Sequence, residues 1–225
     1  MQINSDFSKR IFVHGDKEPW HPSPMTGVHR RMLDRVGDEV ARATTIVRYA
    51  AGSSFSAHNH DGGEEFVVLA GVFQDEHGDY PAGTYVRNPP GTAHTPRSDK
   101  GCTILVKLWQ FDPNDTDQFS IDMSSITPMS TNEEARINSS LLFEDGRERV
   151  TFEKWSSGDV SAGAEGGAEI FVLAGGFELD GEVFISNSWL RLPERDYARL
   201  RVGSEGASVW MKTGHLSFIS TDDLQ

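Results

Sequence analysis

The chain has 225 residues, enough for one large domain or two small ones, and its 37% hydrophobic content with five tryptophans can build a packed core. Its net charge is −13 and no Lys/Arg cluster could neutralise several phosphates, which argues against direct binding to DNA or RNA. One cysteine, Cys102, excludes an intramolecular disulfide; with no signal-peptide pattern and no apolar run of about 18 residues, the expectation is a cytoplasmic protein with no membrane partner.

Residues 1–40 are polar, and the run Pro19-Trp-His-Pro-Ser-Pro favours extended chain over helix. Trp20 is expected to pack on a sheet face and Val28 to begin a strand. His14, His21 and His29 lack motif spacing and are expected at the surface. Gly37 to Glu39 reads as a turn. The β-branched run Arg42-Ala-Thr-Thr-Ile-Val-Arg-Tyr49 reads as a strand.

The stretch from Gly52 to His94 carries the chemistry. It reads G-x5-H-x-H-x3-E-x6-G at Gly52, His58, His60, Glu64 and Gly71, then G-x5-P-x-G-x2-H at Gly83, Pro89, Gly91 and His94. Side chains alternate along a strand, so His58 and His60 face the same way. The Asp61-Gly62-Gly63 turn reverses the chain and starts a strand at Glu64, beside the two histidines. The turn Asn88-Pro89-Pro90-Gly91 would deliver His94 from another hairpin. Three imidazoles and one carboxylate suit a borderline divalent ion such as zinc, iron, manganese or nickel. Glu65 is the rival carboxylate, but alternation lets only one of the pair face the site, and Glu64 alone keeps both spacings. Phe66 and Val68 share Glu64's face and are expected to wall a pocket.

Cys102 lies in the apolar strand pattern Cys-Thr-Ile-Leu-Val and reads as a buried small hydrophobe. Residues 112–137 are acidic and rich in Ser and Thr, which reads as a surface linker, with one helical turn at Thr131-Asn-Glu-Glu-Ala135. Beyond it the chain repeats itself. Gly63-Glu-Glu-Phe-Val-Val-Leu-Ala-Gly-Val-Phe73 answers to Gly167-Ala-Glu-Ile-Phe-Val-Leu-Ala-Gly-Gly-Phe177, an offset of 104, and Tyr85-Val-Arg-Asn-Pro89 to Trp189-Leu-Arg-Leu-Pro193. After one inserted residue, Val106-Lys107 meets Met211-Lys212. At the same offset His58, His60, Glu64 and His94 become Ala162, Ala164, Ala168 and Ala198, so the second copy should hold no metal. Glu65 keeps its counterpart in Glu169 and reads as structural, solvent-facing or strand-pairing. Arg87 and Arg191 read as ion pairs holding the scaffold, with anion binding as the alternative.

The two motifs resemble those of the cupin superfamily, a small antiparallel β-barrel with a metal inside. The wording of residues 58–76, 85–98 and 101–107 resembles the cupin domain of the anti-sigma factor ChrR, over roughly residues 15–111. Ser98 departs from the cupin pattern, where many members have Asn. The resemblance implies that His58, His60, Glu64 and His94 bind one divalent ion per chain, zinc first. With the repeat it implies an all-β bicupin of two tandem jelly-roll barrels: residues 1–120 as the metal-binding domain, 121–137 as linker, and 138–225 as a second cupin domain lacking the ligands. Pairing through edge strands into a homodimer is a further expectation from the resemblance.

Four protein ligands close a tetrahedral zinc shell, whereas a six-coordinate ion keeps two positions for ligand. The expected function is that of a ChrR-like sensor or small-ligand-binding protein, with a small molecule bound in the first barrel. The alternative is a metal-dependent dioxygenase of a β-diketone or hydroxyketone. The His-x3-Cys-x2-Cys pattern of the sigma-gripping helical domain is absent, so a sigma-factor partner is not carried over.

Overall fold

The computed structural model describes residues 1–38, 40–130 and 136–219. Antiparallel strands make up most of these residues. In the first half the principal strands are β1 (Ile11–His14), β2 (Val28–Gly37), β3 (Ala41–Tyr49), β4 (His58–Asn59), β5 (Glu64–Gln74), β6 (Thr84–Asn88), β7 (Ala93–His94), β8 (Cys102–Leu108) and β9 (Phe119–Asp122). In the second half they are β10 (Ile137–Glu144), β11 (Arg149–Trp155), β12 (Gly158–Gly163), β13 (Ala168–Leu179), β14 (Ser188–Leu192) and β15 (Tyr197–Thr213). The expected turn at Gly37 to Glu39 lies partly outside the described residues, and the expected helical turn at residues 131–135 wholly so.

The chain forms two compact units. The first contains Met1–Ser5 and Pro19–Ser125. Its large sheet runs Gln2–Ile3, β2, β3, β8, β5, β6, β9, and β4 pairs separately with β7. The strands follow from their residues: β3 is mostly Ala, Thr, Ile and Val, and is buried along most of its length, as a central strand covered on both faces requires. Val28, Val47, Tyr49, Phe66, Ile104 and Val106 belong to the core of this unit. Cys102 is part of the same core, and burial pushes its thiol up to about 11. Trp20 lies between the Arg31 and Arg48 guanidiniums, each 4.2 Å from its ring.

The second unit contains Asp6–Glu18 and the described chain from Ile126. Its sheet runs Met129–Ser130, β10, β11, β15, β13, β14, β1, and its core includes Val160, Ile170, Val172, Leu190, Leu200 and Val209. The unit boundaries thus differ from the expected division at residues 120 and 138. The acidic stretch supplies β9 to the first sheet and Met129–Ser130 to the second rather than running free over the surface. Residues 6–18 join the second unit because β1 pairs with β14, as β9 pairs with β6 in the first unit. This also corrects the surface reading of His14, whose Nδ1 lies 3.0 Å from Ser188 Oγ and Nε2 2.7 Å from Glu182 Oε1.

The repeat is visible in the strand registers. Glu65 lies opposite Arg87 and Lys107, and Glu169 opposite Arg191 and Lys212. Tyr85 Oη donates to Glu65 Oε2 at 2.7 Å, and Trp189 Nε1 to Glu169 Oε2 at 3.4 Å. All of these side chains are buried, so Glu65 pairs strands but does not face solvent. Local chain covers each group. Arg87 pairs with Asp115 at 2.6 Å and lies 4.2 Å over the Phe111 ring; Arg191 donates to the Asp6 carbonyl at 3.1 Å and lies 4.1 Å over Phe7.

Candidate metal centre

The site is assembled by two hairpins. Pairing of β4 with β7 sets His58 opposite His94. His60 follows at the end of β4, and its backbone N–H donates to the Thr92 carbonyl at 2.9 Å, tying the two hairpins together. Gly62 and Gly63 then turn the chain beneath the rings of Trp109 and Phe111. A Cβ would come within 2.2 and 2.4 Å of ring atoms there, and Gly63 has φ +76°, so both the space and the backbone call for glycine. Glu64 is the first residue of β5.

These elements bring one ligand atom from each of His58, His60, Glu64 and His94 to within 4.8 Å of one another. His60 Nε2 and His94 Nε2 each lie 3.5 Å from Glu64 Oε1. The three imidazole rings are 4.5–5.2 Å apart. His58 is at the exposed edge of the group and the other three residues are buried.

The outward nitrogens are all engaged. His58 Nδ1 meets the Ser56 carbonyl at 3.0 Å, His60 Nδ1 meets Thr92 Oγ1 at 3.0 Å, and His94 Nδ1 meets Asp75 Oδ2 at 3.2 Å. A carbonyl and a carboxylate only accept, and the Thr92 hydroxyl proton is given to the Pro89 carbonyl at 2.7 Å. Each Nδ1 therefore carries the proton, and each Nε2 turns a lone pair inward. The buried Nε2 atoms of His60 and His94 have no hydrogen-bond partner among the described residues. Folded proteins pair most of their buried polar atoms, so four donors converging this way fit a metal ion better than they fit one another. Asn88 Nδ2 also stands 3.5 Å from Glu64 Oε1.

Electrostatics separate the histidines. Burial, with the neighbouring His94 and His58, holds His60 below the usual imidazole range despite Glu64. Burial also pulls on His94, but its bond to Asp75 and the Glu64 charge outweigh that and raise it. Asp75 is held below the usual carboxylate range, because His94 and the amides of His77 and Gly78 outweigh its burial.

A cavity of about 630 Å³ opens onto the group. Tyr49, Val47, Ile104 and Val106 are among its walls. Phe66 and Val68 share Glu64's face as expected but lie in the packed core, where Phe66 meets Phe73 at 4.6 Å. Burial, with Glu64 nearby, pushes the Tyr49 hydroxyl well above its ordinary value, so it stays protonated. Asp75, Thr92 and Tyr49 were not picked out from the sequence. Thr92 sits inside the P-x-G-x2-H motif, but nothing in the wording around Asp75 ties it to His94.

In the second unit Ala162 lies opposite Ala198, as His58 lies opposite His94. Ala162, Ala168 and Ala198 are buried among the apolar side chains of that core.

Residues 8–112 match the family model described as the ChrR cupin-like domain. No curated protein matches the chain in sequence. Similar solved structures include a provisionally assigned dioxygenase from Nostoc punctiforme, with 13% identity, 95% of this chain and 86% of that one covered, and a TM-score of 0.74. Another is the Mn(II)-containing oxalate decarboxylase of Bacillus subtilis, at 11% identity over 90% and 76% of the two chains and a TM-score of 0.62. A cupin conserved-barrel protein from Leptotrichia buccalis has 11% identity over 91% and 96%, with a TM-score of 0.59. At such identities the likeness is one of fold. The fold is that of an all-β cupin, and residues 8–112 resemble the ChrR cupin-like domain.

Proposed function

We propose that the first unit is a metal-dependent small-molecule site in which His58, His60, Glu64 and His94 hold one divalent ion, serving a ChrR-like sensory or ligand-binding role. The observation that carries this reading is the convergence of one ligand atom from each of these four residues within 4.8 Å, with every histidine Nδ1 tied down behind. An N3O donor set suits zinc, iron, manganese or nickel, and the resemblance puts zinc first. When bound, the ion would act as a Lewis acid on an oxygen donor of the ligand. The residues around it have separate tasks. Asp75 and Thr92 orient the imidazoles, Tyr49 offers a hydroxyl proton to whatever enters, and the apolar walls limit water.

A second reading is an oxygenase of a small β-diketone or hydroxyketone. The cavity favours it over a purely structural ion, because a ligand can reach the donor group. One experiment addresses both. Protein purified with and without oxygen is analysed for metals by mass spectrometry, then tested for β-diketone binding and oxygen uptake. We expect one ion per chain, lost in His94→Ala. A variant that kept its full metal content would exclude the ligand assignment, and zinc alone without oxygen uptake would exclude the oxygenase.

A further inference from the structure

The cavity contains a cation that the metal reading does not use. Arg30 lies on β2 opposite Val47, whose side chain lines the same cavity as His58, His60 and Glu64. The next residue, Arg31, stacks outward on Trp20, whereas Arg30 lines the cavity. Its Nε is buried and has no hydrogen-bond partner among the described residues. A guanidinium N–H taken from water and given no acceptor is costly, so such a group marks a place for an incoming acceptor.

Nearby charges do not satisfy it. Arg35 also lines the cavity and gives its own N–H to the Asp38 carbonyl. Burial first, then repulsion from Arg30, holds Arg35 below its ordinary value. Asp38 is exposed, and its carboxylate is bonded to the Met1 amino group. A divalent ion on three neutral imidazoles and one carboxylate adds a net positive charge at the other side. Two guanidiniums, Arg30 and Arg35, thus line one cavity in a chain whose net charge is −13.

We propose that the ligand of this cavity is a small carboxylic acid with a second oxygen donor, such as an oxo or hydroxy acid. Its carboxylate pairs with Arg30 and its other oxygen reaches the metal. This deepens the proposed function and rests on it for the metal end only. Guanidinium groups match carboxylate geometry and form charge-assisted bonds, which is the basis for selection over a neutral analogue.

The test is isothermal titration calorimetry on the full chain with acetoacetate and glycolate, each against its neutral amide, acetoacetamide and glycolamide. Wild type loaded with zinc should bind at least one acid about tenfold more tightly than its amide. The preference should vanish in Arg30→Gln and persist in part in Arg30→Lys, with metal content unchanged in both. No preference in wild type, or a preference that Arg30→Gln retains, overturns the inference. The same series on chelator-treated protein keeps the two ideas apart. An Arg30-dependent preference that survives chelation upholds the carboxylate end without the metal, and a wild type that takes up no zinc sinks only the metal reading.

Discussion

His94 is the residue on which the site's chemistry turns, because Asp75 stands behind it as a carboxylate partner. Replacing Asp75 by Asn keeps the shape but removes the charge that orients the ring and raises its basicity. Loss of such outer partners commonly weakens metal binding by about 10–100-fold, and Asp75→Asn is expected to do so in a chelator competition. His94→Ala should remove the ion altogether. The pH dependence has a definite sign. His94 is raised above its ordinary 6.5, so in metal-free protein its pairing with Asp75 stabilises the fold below the unfolded imidazole value. That stabilisation is lost as pH rises through the folded value. Metal needs the neutral ring, so metal-loaded protein should behave in the opposite way. Thermal melts from about pH 6.5 to about pH 8, above the unfolded imidazole value, where the lowered His60 no longer contributes, should show metal-free stability falling with pH and metal-dependent stabilisation growing. Parallel trends would contradict the assignment.

At the scale of elements, the two halves share glycines for a reason of space. Gly71 sits in β5 at φ +73°, where a Cβ would come 2.1 Å from the Gly101 carbonyl oxygen. Gly175 in β13 repeats this at φ +66° and 2.0 Å from the Gly206 oxygen. Each marks a close approach of two backbones that no side chain survives. Gly71→Ala or Gly175→Ala should each cost at least about 1–3 kcal/mol from backbone strain alone, read by denaturant unfolding. A near-neutral result at either site would mean that the strands separate more easily than this packing allows. The buried Glu65 and Glu169 belong to the same scale. Each is framed by an arginine, a lysine and an aromatic donor from neighbouring strands, so the repeated charges are parts of strand pairing rather than of the metal site.

For the molecule as a whole, the asymmetry of its two units sets the metal stoichiometry. The second unit has methyl groups in the positions of the four donors, and three of them are packed in its core. One ion per chain is expected by mass spectrometry, and His60→Ala should abolish it rather than halve it; a ratio of two would contradict this reading. Saturating metal at about 100 times its dissociation constant stabilises the state that binds it by about 2.7 kcal/mol. Only unfolding that involves the first unit should respond, so a calorimetric trace with two transitions should show one of them moving.

The linear order of residues was sufficient for the donor group and for the duplication. Spacing of two along a strand, glycines at the turn and an offset of 104 are local or periodic properties, and these survive in a string of letters. The strand pattern from Arg42 to Tyr49 was legible for the same reason. Tertiary structure decided what depends on contacts between distant segments. It joined residues 6–18 to the second unit, set Asp75 behind His94, took Phe66 into the core and turned Arg30 toward the cavity. Each of these follows from which edge was left to pair and which volume was left to fill, and neither quantity exists until the sheets have closed.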